Sequence, residues 1–273
     1  MSKELVLGGC SMVADYASYK NKMNAKNPIP YIVFDPINEV HVKVHWEHME
    51  PFPTPSAIMA KQYGMKDVNK AVPGAGNTLI FNTLSDYIHK NYDNIGLVVA
   101  CWSNTTRIDL PLDPKRSGDV FRGADNYYSI IFSEFDDTEH NRKTLGRTYP
   151  MWKTMHSEGM VHYKSGIDDL YRYILTLDAL CHSYGIPCVQ GASLITYPTP
   201  NKYMQYWISH PMAALVDDVN FYGWPIFHDI GGKPLFTFDK SNFLTPYDSH
   251  PNEVAHAEMA NKLIAYIDEN KIL

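Results

Sequence analysis

The sequence is poor in cysteine, with four in 273 residues, at positions 10, 101, 181 and 188. That is too few for a disulfide scaffold, and no pair has the close spacing of a zinc site. Small buried hydrophobes are the expected role of these thiols. Nor does any run approach the roughly 18–20 consecutive apolar residues that would cross a bilayer, so no membrane partner is expected. The opening MSKELVLGGCSMV reaches Gly8, Gly9 and Ser11 too early for the apolar core of a signal peptide. Synthesis in a cytoplasm without a leader is therefore the expectation, with later association with a virus particle left open. A basic surplus is also missing. The formal net charge of -6 argues against a general nucleic-acid binder, which needs a basic face to neutralise phosphates. Internal repeats and low-complexity segments are absent.

What is present is ordinary globular composition, 45% apolar and 20% charged, enough to bury one large core. Leu5–Leu7 reads as a buried strand running into the Gly8-Gly9 turn. A helix is expected over about 12–23, before Asn27-Pro28 and Pro30 break it. Tyr31–Phe34 is a second strand, halted by Asp35-Pro36, and a short helix follows over 56–63. Val72-Pro73-Gly74-Ala75-Gly76-Asn77 is a sharp turn. After it Leu79, Ile80, Leu84, Tyr87 and Ile88 recur at helical spacing. Leu97–Trp102 is the most strand-like run. A helix over 165–183 carries Ile167, Leu170, Tyr171, Ile174, Leu177 and Cys181 on one face, and Ile186–Val189 begins another strand. The last helix spans 253–268, with Ala257, Ala260, Leu263, Ile264 and Ile267 as its apolar face. Residues 109–150 are polar and irregular and read as an insertion or cap. Strands alternating with helices predict a three-layer α/β/α sandwich with a mostly parallel central sheet, one domain over 1–273. Working residues in such folds lie at the carboxyl ends of the strands.

Four features fall there. The first is Gly8-Gly9-Cys10-Ser11-Met12, where a serine leaving a strand would project near the following helix; the same serine also suits an ordinary N-cap. The second is Asp248-Ser249-His250-Pro251. A serine nucleophile needs a base, and the base needs an orienting carboxylate. Two apart in extended chain, Asp248 and His250 point the same way. The bland alternative is a turn-capping Asp beside an incidental His. The third and fourth are Gly74, whose turn exposes a backbone N–H, and Asn104, whose amide lies just past a strand. Both are suited to donate to a tetrahedral oxyanion, although glycine turns and loop asparagines are common.

Taken together, the segments resemble the SGNH/GDSL hydrolases in order and position. Gly9-Cys10-Ser11-Met12 is similar to that family's first block, Asn69–Gly74 to its second, Trp102-Ser103-Asn104-Thr105 to its third and Asp248-Ser249-His250 to its last. Phe221-Tyr222-Gly223-Trp224-Pro225 resembles a subgroup from phages and aquatic bacteria. Cys10 and Thr105 stand where the family usually has Asp, and the last block has one residue between Asp and His rather than two. The resemblance implies a flavodoxin-like sandwich and a serine esterase that needs no cofactor and no metal. Ser11, Asp248 and His250 would be catalytic, and the Ser11 N–H, Gly74 N–H and Asn104 would form the oxyanion hole.

Competing assignments sit nearby. His256 is a rival base, although its place on the last helix disfavours it. Cys10 is a rival nucleophile, but neighbours leaving a strand face opposite ways. His41, His45 and His48 could be a weak metal site if strand-like, against a solvated polar surface as the plainer reading. Arg107, Trp102 and Trp224 are candidates for substrate binding. For Arg107 a surface ion pair is the alternative. Tyr127, Tyr128 and Trp152 could line a carbohydrate groove, but core packing explains aromatics equally well. The expected substrate is a small acyl ester, such as an O-acetyl group on a glycan. A non-catalytic glycan-binding or virion protein is the rival, and acyl transfer uses the same triad. The oligomeric state is not legible.

Overall fold

The structure is a computed structural model that describes residues 2–26, 31–35, 40–44, 48–105, 107–111, 127–131, 149–158, 163–193, 201–216, 219–227, 231–237, 239–245 and 248–273. Five strands form its central sheet: β1 (Glu4–Gly8), β4 (Lys66–Asn69), β5 (Ile95–Trp102), β8 (Cys188–Ala192) and β9 (Phe221–Tyr222). Their spatial order is β4-β1-β5-β8-β9, and every neighbouring pair is parallel. Numbered by their succession in the sheet, this is the order 2-1-3-4-5 of the flavodoxin-like doubly wound fold. The chain therefore reverses its winding between β1 and β5, and the crevice at their carboxyl ends is where such sheets receive ligands.

Helices cover both faces. On one, α3 (Asn77–Asn91) packs on β1 and β5 and against α5 (Tyr163–Ser183), which in turn packs on β8. On the other, α2 (Pro55–Gln62) packs on β1 and β4 and against α8 (Glu253–Asn270). Burial on both sides explains why β1 and β5 read as continuous apolar runs instead of alternating ones. The expected apolar face of α5 is buried along its whole length, from Ile167 to Cys181. In α8 the buried face is rotated from the expected one. Ala255, His256 and Met259 join Ala260, Leu263 and Ile267 inside, while Ala257 and Ile264 lie at the margin.

The remaining elements differ from expectation in instructive ways. The first helix, α1 (Tyr16–Lys26), begins later than the composition suggests, because residues 11–14 are taken up by a turn closed by Val13 N–H on the Cys10 carbonyl at 3.2 Å. β2 (Tyr31–Asp35) does not enter the sheet. It pairs antiparallel with β3 (Val40–Val44), where His41 and Lys43 interrupt the apolar residues and conceal its β character. His41 lies on β3, His45 is outside the described residues, and no group of metal-binding side chains occurs among the described residues. β4 went unforeseen, since Lys66-Asp67-Val68-Asn69 holds one apolar residue.

The predicted insertion over 109–150 begins inside structure, not outside it. β6 (Arg107–Pro111) pairs with β7 (Tyr127–Ile131), and Asp109 is buried; residues 112–126 and 132–148 lie outside the described ones. α4 (Tyr149–Ser157) follows, and α6 (Asn201–Ser209) and the short α7 (Ala213–Val216) come after β8. Near the C-terminus, β10 (Phe243–Thr245) and β11 (Asp248–Pro251) form an antiparallel pair leading into α8. The four cysteines are free and buried. No described helix is long and apolar enough to cross a membrane.

Candidate active site

Ser11 stands in the turn that follows β1, only 3% exposed. Its Oγ lies 2.9 Å from His250 Nε2, across a sequence separation that no local rule would bridge. On the far side of the imidazole, His250 Nδ1 lies 2.5 Å from Asp248 Oδ1, and the same oxygen accepts the His250 backbone N–H at 3.1 Å. Burial alone would raise the Asp248 carboxyl. The hydrogen bonds and positive charge of His250, aided by Lys20, outweigh it and hold the group below its ordinary value. An ionised carboxylate only accepts, so Nδ1 carries the proton. In a neutral ring Nε2 is then the acceptor facing the Ser11 hydroxyl. Pro251 keeps this stretch extended, and Asn252 caps α8 through its side chain on Ala255 N–H at 3.0 Å.

The third side of the imidazole is aromatic. The Tyr16 ring stacks on it, with centroids 3.7 Å apart and planes 16° from parallel. Tyr19 stacks on Tyr16 in turn, at 5.9 Å.

The turn holding Gly74 is tied to the turn holding Ser11 through backbone and side-chain bonds. Val72 N–H donates to Gly9 O at 3.0 Å, and Asn69 Nδ2 donates to Val13 O, also at 3.0 Å. Gly74 has φ +87°, a left-handed conformation that favours glycine. Among the described residues, neither the Gly74 nor the Ser11 backbone N–H has a protein acceptor. Asn104 lies buried two residues beyond β5, the strand next to β1.

Two residues without an assigned role in the sequence hold the Gly74 and Asn104 loops together. Asn77 Oδ1 accepts Ser103 N–H at 2.7 Å while its Nδ2 donates to Ser103 O at 3.1 Å. Asp109 accepts Gly76 N–H at 2.8 Å and Leu79 N–H at 2.7 Å, capping α3 from a distant strand. The capping role of Gly76 itself provides no side chain. A Cβ at Gly76 would lie 2.7 Å from that carboxylate, so the glycine permits the approach.

The three candidate substrate contacts fare differently. Arg107 Nη1 donates to the Ala75 carbonyl at 3.2 Å and so braces the glycine turn from the start of β6. Trp102 does not line a site: it is fully buried, with Nε1 donating to Gln190 Oε1 at 2.9 Å, and it serves the core. Trp224 is half-buried among Tyr171, Trp207 and Phe221 beyond β9. Three strand spacings, about 14 Å, separate β9 from β1. The side chains of Tyr127, Tyr128 and Trp152 lie outside those described.

Neither rival for the chemistry is accessible. Cys10 is wholly buried, its Sγ 3.7 Å from Ser193 Oγ. His256 is also fully buried, with Nδ1 3.3 Å from the Pro53 carbonyl and the Phe52 ring edge-on at 5.1 Å. Burial drives its imidazole down to about 4, against partial support from neighbouring carbonyls and Asp15. It is a neutral core histidine at ordinary pH.

No family model and no curated protein matches the chain. Among solved structures, one similar chain is described as a lipolytic protein of the G-D-S-L family from Desulfitobacterium hafniense DCB-2. It has 8% identity and TM-score 0.44, covering 97% of this chain and 99% of that one. A second is the psychrotrophic esterase EstA from Pseudoalteromonas sp., at 9% identity and TM-score 0.46, covering 98% and 97%. A third is a GDSL-like lipase from Bacteroides thetaiotaomicron, at 10% identity and TM-score 0.40, covering 98% and 89%.

Proposed function

We propose that the chain is a serine esterase of the SGNH/GDSL type that removes small acyl groups, such as O-acetyl, from a glycan or similar alcohol. The observation that carries this reading is the relay from Ser11 Oγ to His250 Nε2 at 2.9 Å and from His250 Nδ1 to Asp248 Oδ1 at 2.5 Å. A buried serine facing the unprotonated nitrogen of an oriented imidazole is the arrangement that nucleophilic catalysis requires.

In this mechanism His250 Nε2 takes the proton of Ser11 as Oγ attacks the ester carbonyl carbon. The carbonyl oxygen gains the charge, and the Ser11 N–H, the Gly74 N–H and the Asn104 amide are assigned to receive it. Two of these are backbone donors lacking a protein acceptor among the described residues. Each such donor contributes about 3 kcal/mol to the transition state in enzymes of this chemistry. Collapse expels the alcohol, which recovers the proton from His250. Water then attacks the acyl-enzyme, giving its proton to His250, and the released acid leaves Ser11 Oγ reprotonated. Asp248 keeps the ring in one tautomer and balances the imidazolium. No step calls for a metal or cofactor. The choice of a small acyl group on a glycan rests on the family resemblance and the aromatic content of the chain.

The test is intact-mass analysis after treatment with a fluorophosphonate probe, with acetyl-ester hydrolysis measured in parallel. A single adduct on the wild type, absent from Ser11→Ala with acetate release also lost, is the expected result. A folded wild type that takes no adduct and releases no acetate while retaining a glycan overturns the reading in favour of a binding protein. Acetate transferred to a sugar acceptor instead of water would reassign the reaction as acyl transfer.

A further inference from the structure

Asp248 and Ser11 hold the His250 ring at its two nitrogens, and two in-plane hydrogen bonds leave the ring free to roll about the line joining them. What removes that freedom is the face contact with Tyr16, whose ring lies 3.7 Å from the imidazole centroid at 16°. Tyr16 is itself 7% exposed. It opens α1, and Tyr19 backs its ring, so the stack is fixed by the helix. We propose that Tyr16 is a positioning residue for the proton-transfer step: its ring sets the tilt of His250 toward Ser11 and stabilises the imidazolium formed when Ser11 gives up its proton. The inference rests on the reading of Ser11 as nucleophile.

The physical basis is twofold. A stacked aromatic face confines the imidazole to a near-attack orientation, which lowers the barrier without changing the reacting groups. The negative face of the ring also attracts a cation formed against it. The attraction favours the protonated ring over the neutral one, so it acts where Ser11 gives up its proton and not on substrate binding.

Other charged groups bear on the imidazole as well. On its own strand Asp248 favours the cation. From α1, Lys20 opposes it, with Nζ 5.3 Å from the Tyr16 centroid and close enough to lower Asp248. From the last helix, Glu253 is exposed three residues away, and His256 is held neutral down to about 4. Asp15 bonds Ser18 N–H at 3.1 Å and acts on His256. β10 brings no titratable side chain. All of these remain when Tyr16 alone is changed, so a difference between variants reports the ring.

The experiment compares wild type, Tyr16→Phe, Tyr16→Leu and Tyr16→Met by NMR titration of the His250 ring and by fluorophosphonate labelling rate against pH. Thermal melts establish that each is folded, and Met serves as the aliphatic variant if Leu does not fold. The aliphatic variants should titrate His250 about half a unit to one unit lower. Their plateau labelling rate should fall about 3- to 30-fold, with KM for an acetyl ester little changed. Tyr16→Phe should restore both within about twofold, since the ring face is kept. Unchanged titration and plateau in a folded aliphatic variant overturn the proposal, as does a Phe variant as impaired as Leu. A wild type that takes no label refutes the nucleophile instead, and the NMR titration still decides the stack.

Discussion

His256 couples the stability of this protein to pH. In the unfolded chain its imidazole binds a proton near 6.5, while in the folded protein burial lowers that to about 4. Between these values the unfolded state holds a proton the folded state refuses, so stability falls as pH falls, by up to about 1.4 kcal/mol per pH unit for one proton. The difference of roughly two and a half units corresponds to about 3 kcal/mol lost by pH 4. The perturbation is His256→Gln, which keeps a polar side chain for the Pro53 carbonyl and takes up no proton. Urea denaturation at intervals from pH 7.5 to 4.5 measures both proteins. Whatever their difference at pH 7.5, the wild type should lose about 2–3 kcal/mol relative to the variant over that range, almost all of it below 6.5. Parallel stability curves would refute the reasoning. The variant should also keep its reactivity toward a fluorophosphonate, which separates His256 from the base.

Asp109→Ala leaves the Gly76 and Leu79 N–H groups without their buried acceptor, which should cost about 3 kcal/mol and lower the melting temperature by roughly 6–12 °C. A melt within a degree or two of wild type would show that the carboxylate does not hold the turn. Asp248→Asn should fold but label at least about a hundredfold more slowly. Because the Asp248 carboxyl sits below its ordinary value, it contributes stability that is complete above the unfolded value and vanishes as pH falls through the folded one. The Asn variant should therefore show a shallower acid limb, and an unaltered limb in a urea series would count against the ion pair.

Ser11, Asp248 and His250 could be singled out as candidates because each is announced by its neighbours: a glycine turn after an apolar strand, and a proline that fixes an Asp-x-His stretch. Their juxtaposition follows from the strand order, which short motifs do not encode. Asp109 and Asn77 were not readable, since their partners lie 26 to 33 residues away and neither type announces a long-range bond. Tyr16 escaped notice because a tyrosine in a short helix looks like packing, and only the fold lays it against His250. Trp102 was misread for the opposite reason. It opens the third block, whereas its indole N–H is spoken for by Gln190 within the core. β4 and β3 were hidden by polar residues at positions that pairing, not burial, makes into strands.

The separation of 239 positions between Ser11 and His250 has a meaning in time as well as in space. A ribosome moving at 5–20 residues per second leaves about 10 to 50 s between the synthesis of the two. Throughout that interval the growing chain carries Ser11 without the imidazole that the fold later sets against it. On the proposed mechanism, reactivity would begin only when β11 and α8 have been made and docked, so its appearance would time that docking step.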